Sequence, residues 1–356
     1  MTHLLRPFAI LLLVVLSGCA SPLYYAQAVQ GEFEILAKRR PIGEVLADPA
    51  TPPATKRRLE LVQRLREFAG RELRLPADRS YRTYADLERP YAVWNVFATP
   101  ALSLKPKKWC FVVAGCVPYR GYFKRASAEK FAAELRQEGD DVYVGGVPAY
   151  STLGWFSDPV LNTFIDRPEA DLAGLLFHEL AHQELYVGGD TAFNESFATA
   201  VQLEGVKRWF GQSGDVKAAE AYLEKIKRRD EFIRLVLRHR AHLAQIYASN
   251  TSDAEKRAAK AREFEALRQD YERLKEQWHG YAAFDGWFTG HPNNARLAAI
   301  NLYSQYLGAF QELLRQQNGD FAAFYRAVEK IARLPKEERD MTLNTLEQQA
   351  TQTDAG

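Results

Sequence analysis

Between Phe177 and Ala198 the chain reads FHELAHQELYVGGDTAFNESFA, and no other stretch constrains its folding as much. His178 and His182 are four residues apart, which puts both imidazoles on one face of a helix, where they can grip a single metal ion. Glu179 stands beside the first histidine, where a general base is needed. Gly188 and Gly189 break the helix, and Asp190 or Thr191 can cap a second one running from about Ala192 to Phe210. A glycine turn folds that helix back on the first. Glu195, near its start, is then the best-placed third ligand, with Asp190 in the turn and Glu204 further along as alternatives.

The surrounding sequence builds a frame for this helix pair. Asp166 and Glu169 fit a capping box with Pro168 in the first turn, and Leu172, Leu175, Leu176 and Leu180 supply a buried face. Upstream, Tyr24 to Arg40 has helical periodicity and stops at Pro41, and a second helical run follows Pro52 and Pro53 to about Glu72. YAVWNVFA, WCFVV, YRGYF and DVYVGGV are β-branched or aromatic segments separated by Gly and Pro, which predicts a small mixed sheet, interrupted by one helix over Ala126 to Gly139. AYSTLG, from Ala149 to Gly154, reads as an edge strand able to pair with an extended peptide.

Downstream, Val216 to Trp278 is charge-laced and helical, broken at Ala248 to Asp253, where Ser252 and Glu255 form a capping box. This predicts a long helical hairpin. On it, His239 and His242 are flanked by Arg238 and Arg240 and read as a solvated face. HPNNARLAAINLYSQYLGAFQELL reads as one helix, another spans about Phe321 to Leu334, and the polar stretch from Pro335 is expected to fray.

With 47% hydrophobic residues the chain can bury a sizeable core, and a formal charge of +2 with interspersed signs argues against nucleic acid as a partner. Arg6, the apolar run Phe8 to Leu16 and the small residues before Cys19 form a signal segment too short to span a membrane stably. Leu16, Ser17, Gly18 and Cys19 resemble a bacterial lipobox, which implies lipidation of Cys19 as the first mature residue. Ala20, after the cysteine, resembles an outer-membrane sorting signal of Gram-negative bacteria. The expected location is the outer membrane, facing the periplasm, on a lipid anchor. In an oxidising compartment Cys110 and Cys116 can pair across a loop centred on Gly115, the alternative being two free thiols.

HELAH followed by Phe193, Asn194, Glu195, Ser196, Phe197 and Ala198 resembles the gluzincin metallopeptidases, particularly the aminopeptidase N group. The resemblance implies zinc as cofactor, His178, His182 and Glu195 as its ligands, Glu179 as the base that deprotonates the attacking water, and a peptide as substrate. YYAQA, PIGEVL, WCF, GCVPYRGYF and AYSTLG extend the likeness to a family of bacterial lipoproteins described as aminopeptidases. Two features depart from the gluzincin pattern. Glu195 follows His182 by thirteen residues, a shorter step than is usual there, and AYSTLG lacks the strand glutamate that binds a substrate amine in gluzincin aminopeptidases. An oxyanion stabiliser is also needed, for which His291, Tyr303, Tyr306 and Tyr150 are candidates.

These pieces predict an α+β, mostly α-helical, zincin-like protein. Its parts are a signal peptide (1–18), an N-terminal helical and mixed-sheet region (19–165), a helical zinc-binding region (166–335) and a polar tail (336–356). The alternative function is an outer-membrane scaffold or binding lipoprotein on the same fold, its metal structural or vestigial.

Overall fold

The computed structural model describes residues 22–111, 115–149, 157–300 and 305–354. It opens with α1 (Pro22–Ala37), which stops short of Pro41; Arg40–Pro41 forms a short strand, β1, and Pro41 caps α2 (Ile42–Ala47). α3 (Pro53–Glu72) carries proline in its first turn, where the missing N–H would have no helical partner. β2 (Thr83–Ala85), β3 (Val93–Pro100), β4 (Trp109–Phe111), β5 (Gly115–Val117) and β6 (Arg120–Tyr122) precede α4 (Arg125–Gln137) and β7 (Asp140–Val147). β8 (Val160–Leu161) and the single turn α5 (Asn162–Ile165) lead into α6 (Glu169–Glu184) and α7 (Thr191–Ser213). Then come α8 (Val216–Ala248), α9 (Asp253–Gln277), the short α10 (Asp285–Phe288) and α11 (Asn294–Ala298), and finally α12 (Leu307–Gln316), α13 (Phe321–Ala332) and α14 (Lys336–Asp354). The protein is therefore mostly helical with small sheets.

The chain divides into two compact units of interleaved segments. The first comprises residues 1–37, 90–149 and 228–301. Its sheet has the order β6-β3-β7 and is antiparallel throughout, not mixed as expected. β6 and β7, joined through α4, run the same way but do not pair, because β3 lies between them. Trp94, Val96 and Ala98, at alternate positions of β3, share a core with Ala128, Ala132 and Leu135 of α4. Cys110 and Cys116 are opposite each other in the β4–β5 hairpin and are joined by a disulfide. α8 and α9 form the predicted hairpin, with the Ser252–Glu255 capping box in place and a core that includes Phe232, Leu235, Leu243, Leu267 and Tyr271.

The second unit comprises residues 38–89, 150–227 and 302–356. Here the mixed sheet is β1-β2-β8, with β1 antiparallel and β8 parallel to β2. α6 and α7 lie side by side over a core of Phe68, Phe177, Phe193, Phe197, Phe310 and Phe324, all almost fully buried. The helices come this close through glycine: a Cβ on Gly205 would lie 2.7 Å from Phe177 and 2.8 Å from Leu73.

Three expectations about these helices are corrected. Pro168, not Asp166, is the N-cap of α6 and makes no side-chain bond; Asp166 closes α5, and Glu169 is turned away to accept from the Trp209 indole N–H at 2.8 Å. The run from His291 onward is not one helix. α11 is capped by the Asn293 side chain and closed by the Ala299 N–H, and α12 begins again at Tyr306. The polar tail is α14, pinned by fully buried Leu343 and by Glu347, whose carboxylate accepts the Ala309 N–H at 2.6 Å.

Candidate metal centre

α6 supplies His178 and His182 from adjacent turns and α7 supplies Glu195, its fifth residue. The step between them is short because Asn194 staples the connecting loop. Its amide donates to the Val187 carbonyl and accepts the Val187 N–H, each at 2.8 Å. Asp190 then caps α7 by accepting the Phe193 N–H at 3.2 Å.

The donor atoms converge. His178 Nε2 and His182 Nε2 are 3.2 Å apart, and Glu195 brings one oxygen to 3.3 Å from the first and the other to 3.7 Å from the second. Two ring nitrogens this close can share at most one proton. Ligands about 2.0–2.1 Å from a tetrahedral zinc ion stand roughly 3.3 Å from one another. The donor set and its spacing therefore fit zinc.

Neighbouring side chains set the protonation of the pair. His178 Nδ1 donates to Gln202 Oε1 at 3.0 Å, and the Gln202 amide donates to the Tyr222 hydroxyl at 2.6 Å, with the amide oxygen toward the histidine. The His178 tautomer is thus the one whose Nε2 lone pair points at the ion site. Burial works against a proton on His178, but Glu195, Glu179 and Gln202 outweigh it and raise its basicity above the ordinary value. His182 is pushed down to about 4, first by burial and then by His178. It is neutral at physiological pH, as a ligand must be.

A strap that the sequence does not signal runs along the Glu179 side of α6. Glu179 and Gln183 are one helical turn apart on the same face. The Gln183 amide donates to Ser80 Oγ at 3.0 Å, Arg66 holds the Ser80 carbonyl at 3.0 Å, and the Tyr81 N–H donates to the Asp158 carbonyl at 2.7 Å. Tyr81 is held at φ 58°, a costly conformation for an aromatic residue. Burial, then the charges of Glu179 and Asp158, push its phenol well up, leaving a neutral hydroxyl in the field of Glu179. No motif marks Ser80, Tyr81, Gln202 or Tyr222, because each acts through a long-range contact.

The other candidates have defined places. Asp190 is buried against Arg339, whose guanidinium donates to it at 2.8 and 3.0 Å, and Glu204 pairs with Arg208 at 2.7 Å, so neither reaches the ligand cluster. Tyr306 is buried, with its phenol pushed up by burial and by Asp340, and its N–H donates to Ser196 Oγ at 3.1 Å. His291, at φ 58°, lines a pocket of the first unit with Lys260, Phe264 and Phe288. Tyr150, Tyr303 and Cys19 lie outside the described residues.

Fold and site together define a mostly helical α+β protein with a His-His-Glu group, on two adjacent helices, that can hold a metal ion. The chain belongs to the family described as "Putative aminopeptidase", whose model it matches over residues 23–343. No curated protein and no solved structure matches it. By family the chain is a peptidase and its substrate a peptide.

Proposed function

We propose that the chain is a zinc-dependent metallopeptidase, and by its family an aminopeptidase, in which His178, His182 and Glu195 hold the ion and Glu179 is the general base. The observation that carries this reading is the convergence of three donor side chains within 3.2 to 3.7 Å of one another, with a carboxylate beside the first. The likeness of HELAH and NESFA to the gluzincin pattern supports the same assignment. Zinc, when bound, would supply a Lewis acid for the scissile carbonyl and a lowered pKa for a water at its open position. Glu179 takes the proton of the attacking water and passes it to the departing amine as the C–N bond breaks. Gln202 and Tyr222 keep His178 in its ligating tautomer. For the oxyanion, the candidate stabilisers are His291, Tyr303, Tyr306 and Tyr150. The same reading places the chain at the periplasmic face of the outer membrane through a lipid on Cys19, with the LSGC segment as its support.

The test is cleavage of paired peptides with free and blocked N-termini by zinc-loaded protein. Free-amine peptides are expected to be cut in a chelator-sensitive way. Glu179→Gln should lower the rate at least about 100-fold while elemental analysis shows the zinc retained. Full activity in that variant removes Glu179 from the chemistry; cleavage of blocked peptides alone overturns the aminopeptidase reading. A zinc-loaded wild type that cuts neither set leaves the binding-lipoprotein function in its place. Cys19→Ser should release the chain into the soluble periplasmic fraction.

A further inference from the structure

His239 and His242, one turn apart on α8, do not form the solvated face that their flanking arginines suggest. His239 is 5% exposed. Across the hairpin, α9 presents Glu263 and Asp270, which are two turns apart and so share a face. His239 Nδ1 is 2.7 Å and His242 Nδ1 2.9 Å from the same Glu263 oxygen, while His239 Nε2 is 3.0 Å from an Asp270 oxygen.

A neutral imidazole has one N–H and cannot donate to carboxylates at both nitrogens. His239 is then either protonated at both nitrogens or neutral with its N–H toward one carboxylate and a proton or a cation between its other nitrogen and the facing oxygen; with the N–H toward Asp270, Nδ1 is free for a cation. The second arrangement is how proteins orient a ligating histidine, with its far N–H on a carboxylate and its near lone pair on the ion. His242 adds a second nitrogen and Glu263 an oxygen, the donor atoms all lying within 4.8 Å of one another. His242, whose side chain is 58% exposed, leaves an outer position open to water. Local cations do not compete for the place: Arg238 and Arg240 are exposed on neighbouring faces of α8, Arg273 is paired with Asp270, and Lys260 with Asp141.

We propose that His239, His242 and Glu263 form a second zinc site that braces the α8–α9 hairpin, with Asp270 positioning His239. Two imidazoles and one carboxylate suit a borderline divalent ion. Seating it widens the present hydrogen-bond separations to the roughly 3.3 Å of zinc ligand edges, a small shift for the exposed His242 ring and the Glu263 carboxylate. This site does not depend on the peptidase reading, and metal content reads it without activity.

The experiment strips the purified full-length protein with chelator and titrates it with zinc chloride, reading stoichiometry by elemental analysis and affinity by calorimetry. The expected result is two zinc ions per chain, and one in the His178→Ala/His182→Ala variant. In that background His242→Ala or Glu263→Gln should abolish the remaining ion, and Asp270→Asn should weaken it about 10- to 100-fold. His242→Ala is the principal variant, since its exposed side chain can be truncated without a buried cavity, and circular dichroism checks that it folds. No zinc bound by the His178→Ala/His182→Ala variant, or a zinc in that background whose affinity is unchanged by both His242→Ala and Glu263→Gln, overturns the proposal.

Discussion

The two candidate ligand histidines, His178 and His182, have opposite acid-base biases although they face one another. His182 has its Nδ1 buried without a hydrogen-bond partner among the described residues, whereas His178 has Gln202 on that side. The proton that the metal-free pair can hold therefore belongs to His178. This has a consequence for stability without metal. His182 falls from 6.5 to about 4 on folding, so between these pH values the unfolded chain binds more proton at this residue than the native one. Stability then rises with pH across that window and is lost as pH falls through it. His182 alone contributes roughly 3 kcal/mol at 1.36 kcal/mol per unit, and the opposite shift of His178 offsets part of it. Urea unfolding of chelator-treated protein from pH 7 to pH 4 should show a steeper loss for wild type than for His182→Asn, which cannot titrate. Parallel pH curves would refute the assignment.

At the level of elements, the metal centre depends on how closely α6 and α7 approach. Gly174 of α6 faces Tyr222 and Gln202, and an added Cβ would run into the Tyr222 hydroxyl. That hydroxyl receives the Gln202 amide, which in turn orients His178. A single methyl group thus acts on the ligand through two intermediates. Gly174→Ala should destabilise the protein by about 1–3 kcal/mol through overpacking and weaken zinc about tenfold or more through the lost orienting bond. Tyr222→Phe is the control, since it removes the hydroxyl without a clash. It should weaken zinc with a smaller loss of stability, and calorimetric zinc titration with thermal melts separates the two. Zinc affinity unchanged in both variants would show that the Gln202 relay does not tune His178.

For the whole molecule, what could be read in advance followed sequence distance. The proximity of His178, His182 and Glu195 was legible because helical spacing and one glycine turn bring three side chains together within a short stretch, and the α8–α9 hairpin because a capping box marks its turn. The strands β1, β2 and β8 are two or three residues long and too short to show alternation. Tyr81, Gln202 and Tyr222 depend on contacts that periodicity does not encode. So does α14, whose polar composition suggested a loose end. Arg339 of α14 is buried against Asp190, 149 residues earlier, and so clamps the cap of the helix that carries Glu195. The Arg339 side chain also donates to the carbonyls of Ala332 and Leu334, closing the end of α13. Arg339→Leu leaves the buried Asp190 carboxylate with the more distant Lys336, at 3.6 Å, as its cation and should cost about 3 kcal/mol, with weaker zinc binding because the cap of α7 is disturbed. Asp190→Asn keeps a competent N-cap and removes the charge. In the Arg339→Leu background it should therefore restore most of the lost stability and zinc affinity. Denaturant melts and zinc titrations over this double-mutant cycle measure the coupling directly. Additive losses in the double variant would mean that Arg339 acts through α13 alone and that the C-terminal helix has no hold on the metal centre.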